Sequence, residues 1–207
     1  MKLETPQGPV SASLHGPEGA PRLVLTHGAG GSKDTPGLVR FAEACADRGL
    51  EVIRFNQPSA EAGKGRPDPA KRVELTWRQI VEQTQGAPKL VIGGRSFGGR
   101  MASHIVAQGA AVDGLLFLGY PLHPPGKPEQ IRDAHLSQIE VPMLFIQGSR
   151  DPFATPELLH ATIEGLPSAT LHLLDGGNHS LEVKGRPNAE VIDEIADRTI
   201  GWLGTLS

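Results

Sequence analysis

Three residues carry most of the chemical capacity of this chain: Ser96, Asp151 and His179. Ser96 is the centre of Gly94-Arg95-Ser96-Phe97-Gly98, a Gly-x-Ser-x-Gly run that follows the branched pair Val91-Ile92 and leads into the helix-spaced Met101, Ala102, Ile105 and Val106. A serine on a sharp strand-to-helix turn has a strained backbone and an exposed hydroxyl, and the residues two before and two after it must lack a β-carbon. Gly94 and Gly98 meet that requirement. The same turn puts Ser96 at a helix N-terminus, where the amide of Phe97 and the helix dipole can stabilise a developing oxyanion. Alone, Ser96 would read as a simple helix N-cap; with a strand before it and a helix after, it reads as a nucleophile.

A hydroxyl nucleophile working near pH 7 needs a base, and the base needs an orienting carboxylate, here in the chain order Ser, acid, His. Asp151, in Gln147-Gly148-Ser149-Arg150-Asp151-Pro152-Phe153, follows one branched run, and His179, in Asp175-Gly176-Gly177-Asn178-His179-Ser180, follows the next. Successive parallel strands bring their C-terminal ends to one edge of a sheet, so the three residues are expected to meet there. Asp175 and Asp113 are the alternative acids. Asp175 shares the histidine's own turn, and Asp113 precedes its strand, which places it at the opposite edge.

The second oxyanion amide is expected from Leu25-Thr26-His27-Gly28-Ala29-Gly30-Gly31-Ser32, whose glycines let the backbone approach a tetrahedral carbon. Ala29 is the expected donor and Gly30 the alternative. His27, Tyr120 and His123 are candidates for the pocket wall, the last two from Gly119-Tyr120-Pro121-Leu122-His123-Pro124-Pro125-Gly126 just past a strand end. The loop is no phosphate cradle, because Asp34 follows Lys33 where a Walker A motif needs Ser or Thr. No dinucleotide fingerprint takes its place, so no cofactor is expected. His15, His104, His135, His160 and His172 stand singly, without His-x-x-x-His spacing, and read as surface or helix residues rather than metal ligands.

These groups need a scaffold, and the hydrophobic pattern supplies one. Short branched runs at 22–26, 51–55, 89–93, 114–118, 143–147 and 170–174 alternate with helix-spaced segments at 35–48, 73–85, 97–108, 129–136, 156–163 and 189–203. That alternation predicts an α/β fold: a mostly parallel sheet of six or more strands with helices on both faces. Residues 3–4 and 10–14 flank a Pro6–Pro9 turn and predict an antiparallel hairpin at one edge. Residues 56–72 have no period and read as a long loop. The connection between the strands ending at Leu118 and beginning at Met143 has room for a loop and a short helix but no cap domain.

The chain has 207 residues, expected to form one domain over 1–207. With 20 Lys and Arg against 23 Asp and Glu, the net charge of −3 gives no field that would attract nucleic acid or an anionic membrane. The one basic cluster, Lys64, Arg66, Lys71 and Arg72, is interrupted by Asp68 and reads as a solvated loop. Cys45 is the only cysteine and sits on the apolar stripe Leu38, Phe41, Ala42, Cys45, so it reads as core and no intrachain disulfide can form. No apolar leader precedes Pro6 and no apolar run approaches membrane-spanning length, which predicts a soluble cytoplasmic protein. The oligomeric state is left open.

Taken together, the His-Gly-x-Gly loop at His27, the turn at Ser96, the acid Asp151 and the base His179 resemble the α/β-hydrolase superfamily over nearly the whole chain. Within it, the segments 119–126 and 148–153 resemble a compact bacterial branch related to dienelactone hydrolases and to testis-expressed and NSL-complex subunit-like hydrolase proteins. The resemblance implies a lidless hydrolase. Dienelactone hydrolases proper use a cysteine nucleophile; Ser96 stands here, so their substrate does not carry over. The expected activity is that of a serine carboxylesterase on small soluble esters. Non-catalytic use of the fold, or peptidase or acyltransferase chemistry with the same groups, are the alternatives.

Overall fold

The computed structural model of the protein describes residues 1–206. In chain order the elements are β1 (Lys2–Leu3), β2 (Val10–His15), β3 (Arg22–Thr26), α1 (Pro36–Asp47), β4 (Glu51–Phe55), α2 (Pro58–Glu61), α3 (Ala70–Gln83), β5 (Leu90–Arg95) and α4 (Phe97–Ala107). They continue with β6 (Gly114–Leu118), a 3-10 turn at Leu136–Gln138, β7 (Met143–Gly148), α5 (Pro156–Glu164), β8 (Ala169–Leu174) and α6 (Asn188–Leu203). The strands form one eight-stranded sheet in the order β1-β2-β4-β3-β5-β6-β7-β8. From β4 to β8 every pairing is parallel, and β1 and β2 join antiparallel at one edge as the expected hairpin.

The strands alternate their side chains between two cores. Val24, Ile92, Leu115, Phe117 and Phe145 face Trp77, Ile80, Met101, Ile105 and Leu159 of α3, α4 and α5. Leu23, Leu25, Val91, Leu116 and Ile146 face Leu38, Phe41, Cys45, Val191 and Ile195 of α1 and α6. Period-two burial on both faces makes the strands read as near-continuous apolar runs, and it demands helices on both sides. Cys45 is fully buried in the second core, and burial pushes its thiol up to about 12, which leaves it inert.

Two expectations are corrected. Residues 129–136 are not a helix; only the 3-10 turn at Leu136–Gln138 forms there. Pro124, Pro125 and Pro128 break helical hydrogen bonding, and the Arg132 amide donates across the segment to the Leu122 carbonyl (2.7 Å), so the chain folds back on itself. Leu122 and Leu136 anchor this strap by burial, whereas Ile131 stays exposed, so no amphipathic helical face exists. Residues 56–72 are more ordered than a loop: α2 and the first turn of α3 lie inside them, and buried Asp68 accepts the Ser59 amide (2.6 Å). The basic residues of that segment, Lys64, Arg66, Lys71 and Arg72, are exposed as expected. Among the described residues no cap domain stands over the C-terminal edge of the sheet, and no helix is long and apolar enough to cross a membrane.

Candidate active site

Ser96 lies between the last residue of β5 and the first of α4, with φ 49° and ψ −120°. A non-glycine residue adopts that region only when its surroundings over-determine it. Here they do: the Ser96 amide donates to the Leu118 carbonyl of β6 (3.0 Å), and the Arg100 amide returns to the Ser96 carbonyl (3.0 Å). The start of α4 also packs directly on the end of β3. A β-carbon at Gly94 would stand 2.1 Å from the Thr26 carbonyl oxygen, and one at Gly98 would stand 2.4 Å from that of His27. From the far side the Trp77 indole donates to the Gly98 carbonyl (3.1 Å), tying α3 to the turn.

The ends of β5, β7 and β8 bring Ser96, Asp151 and His179 together. His179 Nε2 is 2.9 Å from Ser96 Oγ, and His179 Nδ1 is 2.7 Å from Asp151 Oδ2. Asp151 is buried, and each oxygen is otherwise committed: Oδ1 accepts the Phe153 amide (2.8 Å) and Oδ2 also accepts the Gln147 Nε2 hydrogen (2.5 Å). With donors on every side, the carboxylate accepts the Nδ1 hydrogen and fixes that tautomer, which leaves Nε2 free to take the Ser96 proton. The Phe153 ring leans on the imidazole at 4.4 Å between centroids and limits its rotation.

The alternative acids lie elsewhere. Asp175 is exposed and accepts only the Ser149 hydroxyl (3.3 Å). Asp113 accepts the Leu90 amide (2.6 Å) at the opposite edge of the sheet.

Ala29, Gly30 and Phe97 have amides that donate to no protein acceptor among the described residues. The turn that presents Ala29 and Gly30 is fixed from behind. His27 is buried, its Nδ1–H donates to the Gly28 carbonyl (2.8 Å), and its Nε2 accepts the Gln57 amide (3.0 Å). Gln57 Nε2 donates in turn to the His27 carbonyl (2.6 Å). Burial lowers the His27 pKa, against the pull of the Gly28 carbonyl and Asp68, so the ring is a neutral strut.

A cleft of about 570 Å³ opens over Ser96, between the Gly28–Gly31 turn, Phe153 with His179, and the strap carrying Pro121, His123 and Arg132. Of the three expected wall residues, His123 lines it and His27 and Tyr120 do not. His27 lies behind the turn as described. Tyr120 is buried under the floor against Phe117 and Phe145, its hydroxyl shared with Ser103 (3.3 Å) and His135 (3.3 Å). β6 ends at Leu118 and Gly119 has φ 70°, which breaks the alternation and turns the Tyr120 side chain into the core of Phe117 rather than that of Leu116 and Leu118. His135, expected at a surface or on a helix, closes that buried polar group at 2.8 Å from Ser103 Oγ. Among the described residues no group of three His, Cys, Asp or Glu side chains is placed to hold a metal ion.

Sequence reasoning missed four residues of the site. Gln147 has no motif to mark it, although a buried amide near a strand end is a polar group that demands partners. Phe153 follows the acid by two and lay within a quoted segment. Arg100 was legible as the residue one helical turn after Ser96, and Arg132 was hidden by the mistaken helix.

The solved structures carry the comparison further. Est1E from Butyrivibrio proteoclasticus with bound ferulic acid is 16% identical and superposes with a TM-score of 0.79, covering 97% of this chain and 99% of that one. An α/β serine hydrolase without lid from Xanthomonas campestris is 20% identical, with a TM-score of 0.75 over 98% of this chain and 93% of that one. A dienelactone hydrolase from Anabaena variabilis is 21% identical, with a TM-score of 0.74 over 100% and 96%. At these identities the likeness is one of fold. The sequence itself matches the alpha/beta hydrolase domain over residues 19–204, nearly its full length, and the chain belongs to that family.

Proposed function

We propose that the protein is a serine hydrolase of carboxylesterase type that cleaves small soluble esters through an acyl-enzyme. The observation that carries this reading is the continuous relay from Ser96 Oγ through the imidazole to Asp151, at 2.9 and 2.7 Å, beside amides with no other acceptor. Ser96 Oγ attacks the ester carbonyl while His179 Nε2 takes its proton. The carbonyl oxygen becomes an oxyanion held by the amides of Phe97 and Ala29, with Gly30 as the alternative to Ala29. The tetrahedral intermediate collapses, His179 returns the proton to the departing alcohol, and the acyl group stays on Ser96. Water then attacks with His179 again as base, and Ser96 leaves as a protonated hydroxyl.

The cleft is open and no segment of the described residues covers it, which favours substrates that reach it from solution. Hydrolysis of short-chain p-nitrophenyl esters by the wild type and by Ser96→Ala tests the reading. The wild type should turn over with smooth saturation and the variant should lose about 10⁴-fold or more. A sharp rise in rate at the substrate's solubility limit would point to an interfacial enzyme instead, and equal rates in the two proteins would refute the mechanism.

A further inference from the structure

The cleft over Ser96 carries unbalanced positive charge. Its charged lining residues are Arg95, Arg100 and Arg132, with no Asp or Glu among the lining residues. Arg95 is accounted for by a hydrogen bond to Ser180 Oγ (2.6 Å) and by the attraction of Glu182. Arg100 and Arg132 are not: among the described residues neither side chain forms an ion pair or a hydrogen bond, and Arg100 Nε is fully buried without a partner.

The fold gives Arg100 no reason to be there. It sits in the first turn of α4, where the helix dipole disfavours a cation. Burial lowers its pKa; Tyr120 and Glu74 pull it back up while Arg132, close enough to be felt, pushes it down. A half-buried guanidinium that feels a second one, with no ion pair to either among the described residues, is a costly arrangement for a protein of net charge −3. A second buried polar atom beneath the cleft is also unpaired among the described residues. His123 is buried, its Nδ1–H donates to the Pro124 carbonyl (2.9 Å), and its Nε2 lone pair has no protein partner.

Resting on the hydrolase reading, we infer that Arg100 and Arg132 form an anion subsite one helical turn from the nucleophile, and that the substrates are esters bearing a second, ionised acid group. Arginine forks match carboxylate or phosphate oxygens and stay charged at any working pH. The strap supplies Arg132 and α4 supplies Arg100, so the anion is clamped from two elements while its ester carbonyl lies over Ser96.

The test compares kcat/KM for the mono-p-nitrophenyl ester of glutarate with that for p-nitrophenyl valerate, each divided by its rate of hydroxide hydrolysis. A second pair, 3-carboxyphenyl acetate and phenyl acetate, places the charge on the alcohol side. At least one charged member should exceed its neutral partner by about 10- to 100-fold, and the ratio should fall in 0.5 M salt. Arg132→Gln, on the exposed strap, and Arg100→Gln should each lower the ratio by about tenfold, whereas Arg198→Gln on α6 should keep it. Free glutarate and inorganic phosphate, tried as competitors of the neutral ester, show which oxyanion the subsite takes.

Neutral esters turned over with ratios near one in both pairs would overturn the anion subsite and leave the hydrolase standing. So would ratios unchanged in both arginine variants. No turnover of any probe, with no covalent label on Ser96, would remove the hydrolase reading and the subsite with it.

Discussion

Replacing Asp151 by Asn keeps the shape of the relay and reverses its hydrogen-bond logic. In the native site Oδ1 accepts the Phe153 amide (2.8 Å), and Oδ2 accepts hydrogens from His179 Nδ1 (2.7 Å) and Gln147 Nε2 (2.5 Å). Gln147 cannot turn its amide around, because its Oε1 accepts the Tyr120 amide (2.7 Å). An asparagine has one acceptor for two sets of donors. With its oxygen toward Phe153, its NH2 faces both His179 and the Gln147 Nε2 donor, which loses its acceptor, and the imidazole must present a lone pair at Nδ1 and carry its hydrogen on Nε2. That tautomer cannot take the Ser96 proton. With its oxygen toward His179, the NH2 meets the Phe153 amide head-on, so either orientation leaves a buried donor unpaired at a cost of about 1–3 kcal/mol.

The first orientation predicts a fall in kcat of about 10⁴, close to 5.5 kcal/mol of transition-state stabilisation, with KM nearly unchanged. The assay is steady-state hydrolysis of a soluble p-nitrophenyl ester, beside a thermal melt to show that the variant is folded. Asp175→Asn, which keeps an acceptor for the long Ser149 contact and removes only the charge, is the control and should stay within a few-fold of wild type. An Asp151→Asn protein within tenfold of wild type, or a larger loss in Asp175→Asn, would refute the reasoning and reassign the acid.

Three further outcomes follow from the same geometry. Gln147→Ala removes a donor to Asp151 and an acceptor for the Tyr120 amide, and should lower kcat by about 10-fold while destabilising the fold by about 1–3 kcal/mol, read by kinetics and urea unfolding. Gly98→Ala drives a β-carbon to 2.4 Å from the His27 carbonyl, so either the turn or the oxyanion loop must shift; a loss of about 1–3 kcal/mol and of most activity is expected in the same two assays. His135 is held at about 4, chiefly by burial and then by His104 and Arg100, below its unfolded value of roughly 6.5. Its contribution to stability is therefore complete above about pH 6.5 and is lost as the pH falls toward 4, so His135→Gln should flatten the acid side of the urea-midpoint profile.

Much of this site was legible because its logic is local. The glycines around Ser96 and the Ser, Asp, His order across successive strand ends follow from a parallel sheet, and the branched runs that announce those strands are buried on both faces. The strap at 119–142 was not legible: residues 129–136 contain no Pro or Gly to break a helix, but three prolines before them and the Leu122–Arg132 backbone bond decide the conformation. Tyr120 and His27 were placed on the right edge and expected to face the cleft, but both lie past the last residue of a strand, where the pleat no longer sets the direction of a side chain. Gln147 depends on tertiary pairing with both Asp151 and Tyr120, and no spacing in one sequence encodes that.

The central claim is that Ser96 is the nucleophile. The direct measurement is reaction of the intact protein with a fluorophosphonate probe, followed by mass spectrometry and peptide mapping. The account predicts one adduct per chain, on Ser96, absent in Ser96→Ala and slowed in His179→Ala. An unlabelled wild-type protein, or an adduct that persists in Ser96→Ala, would contradict it.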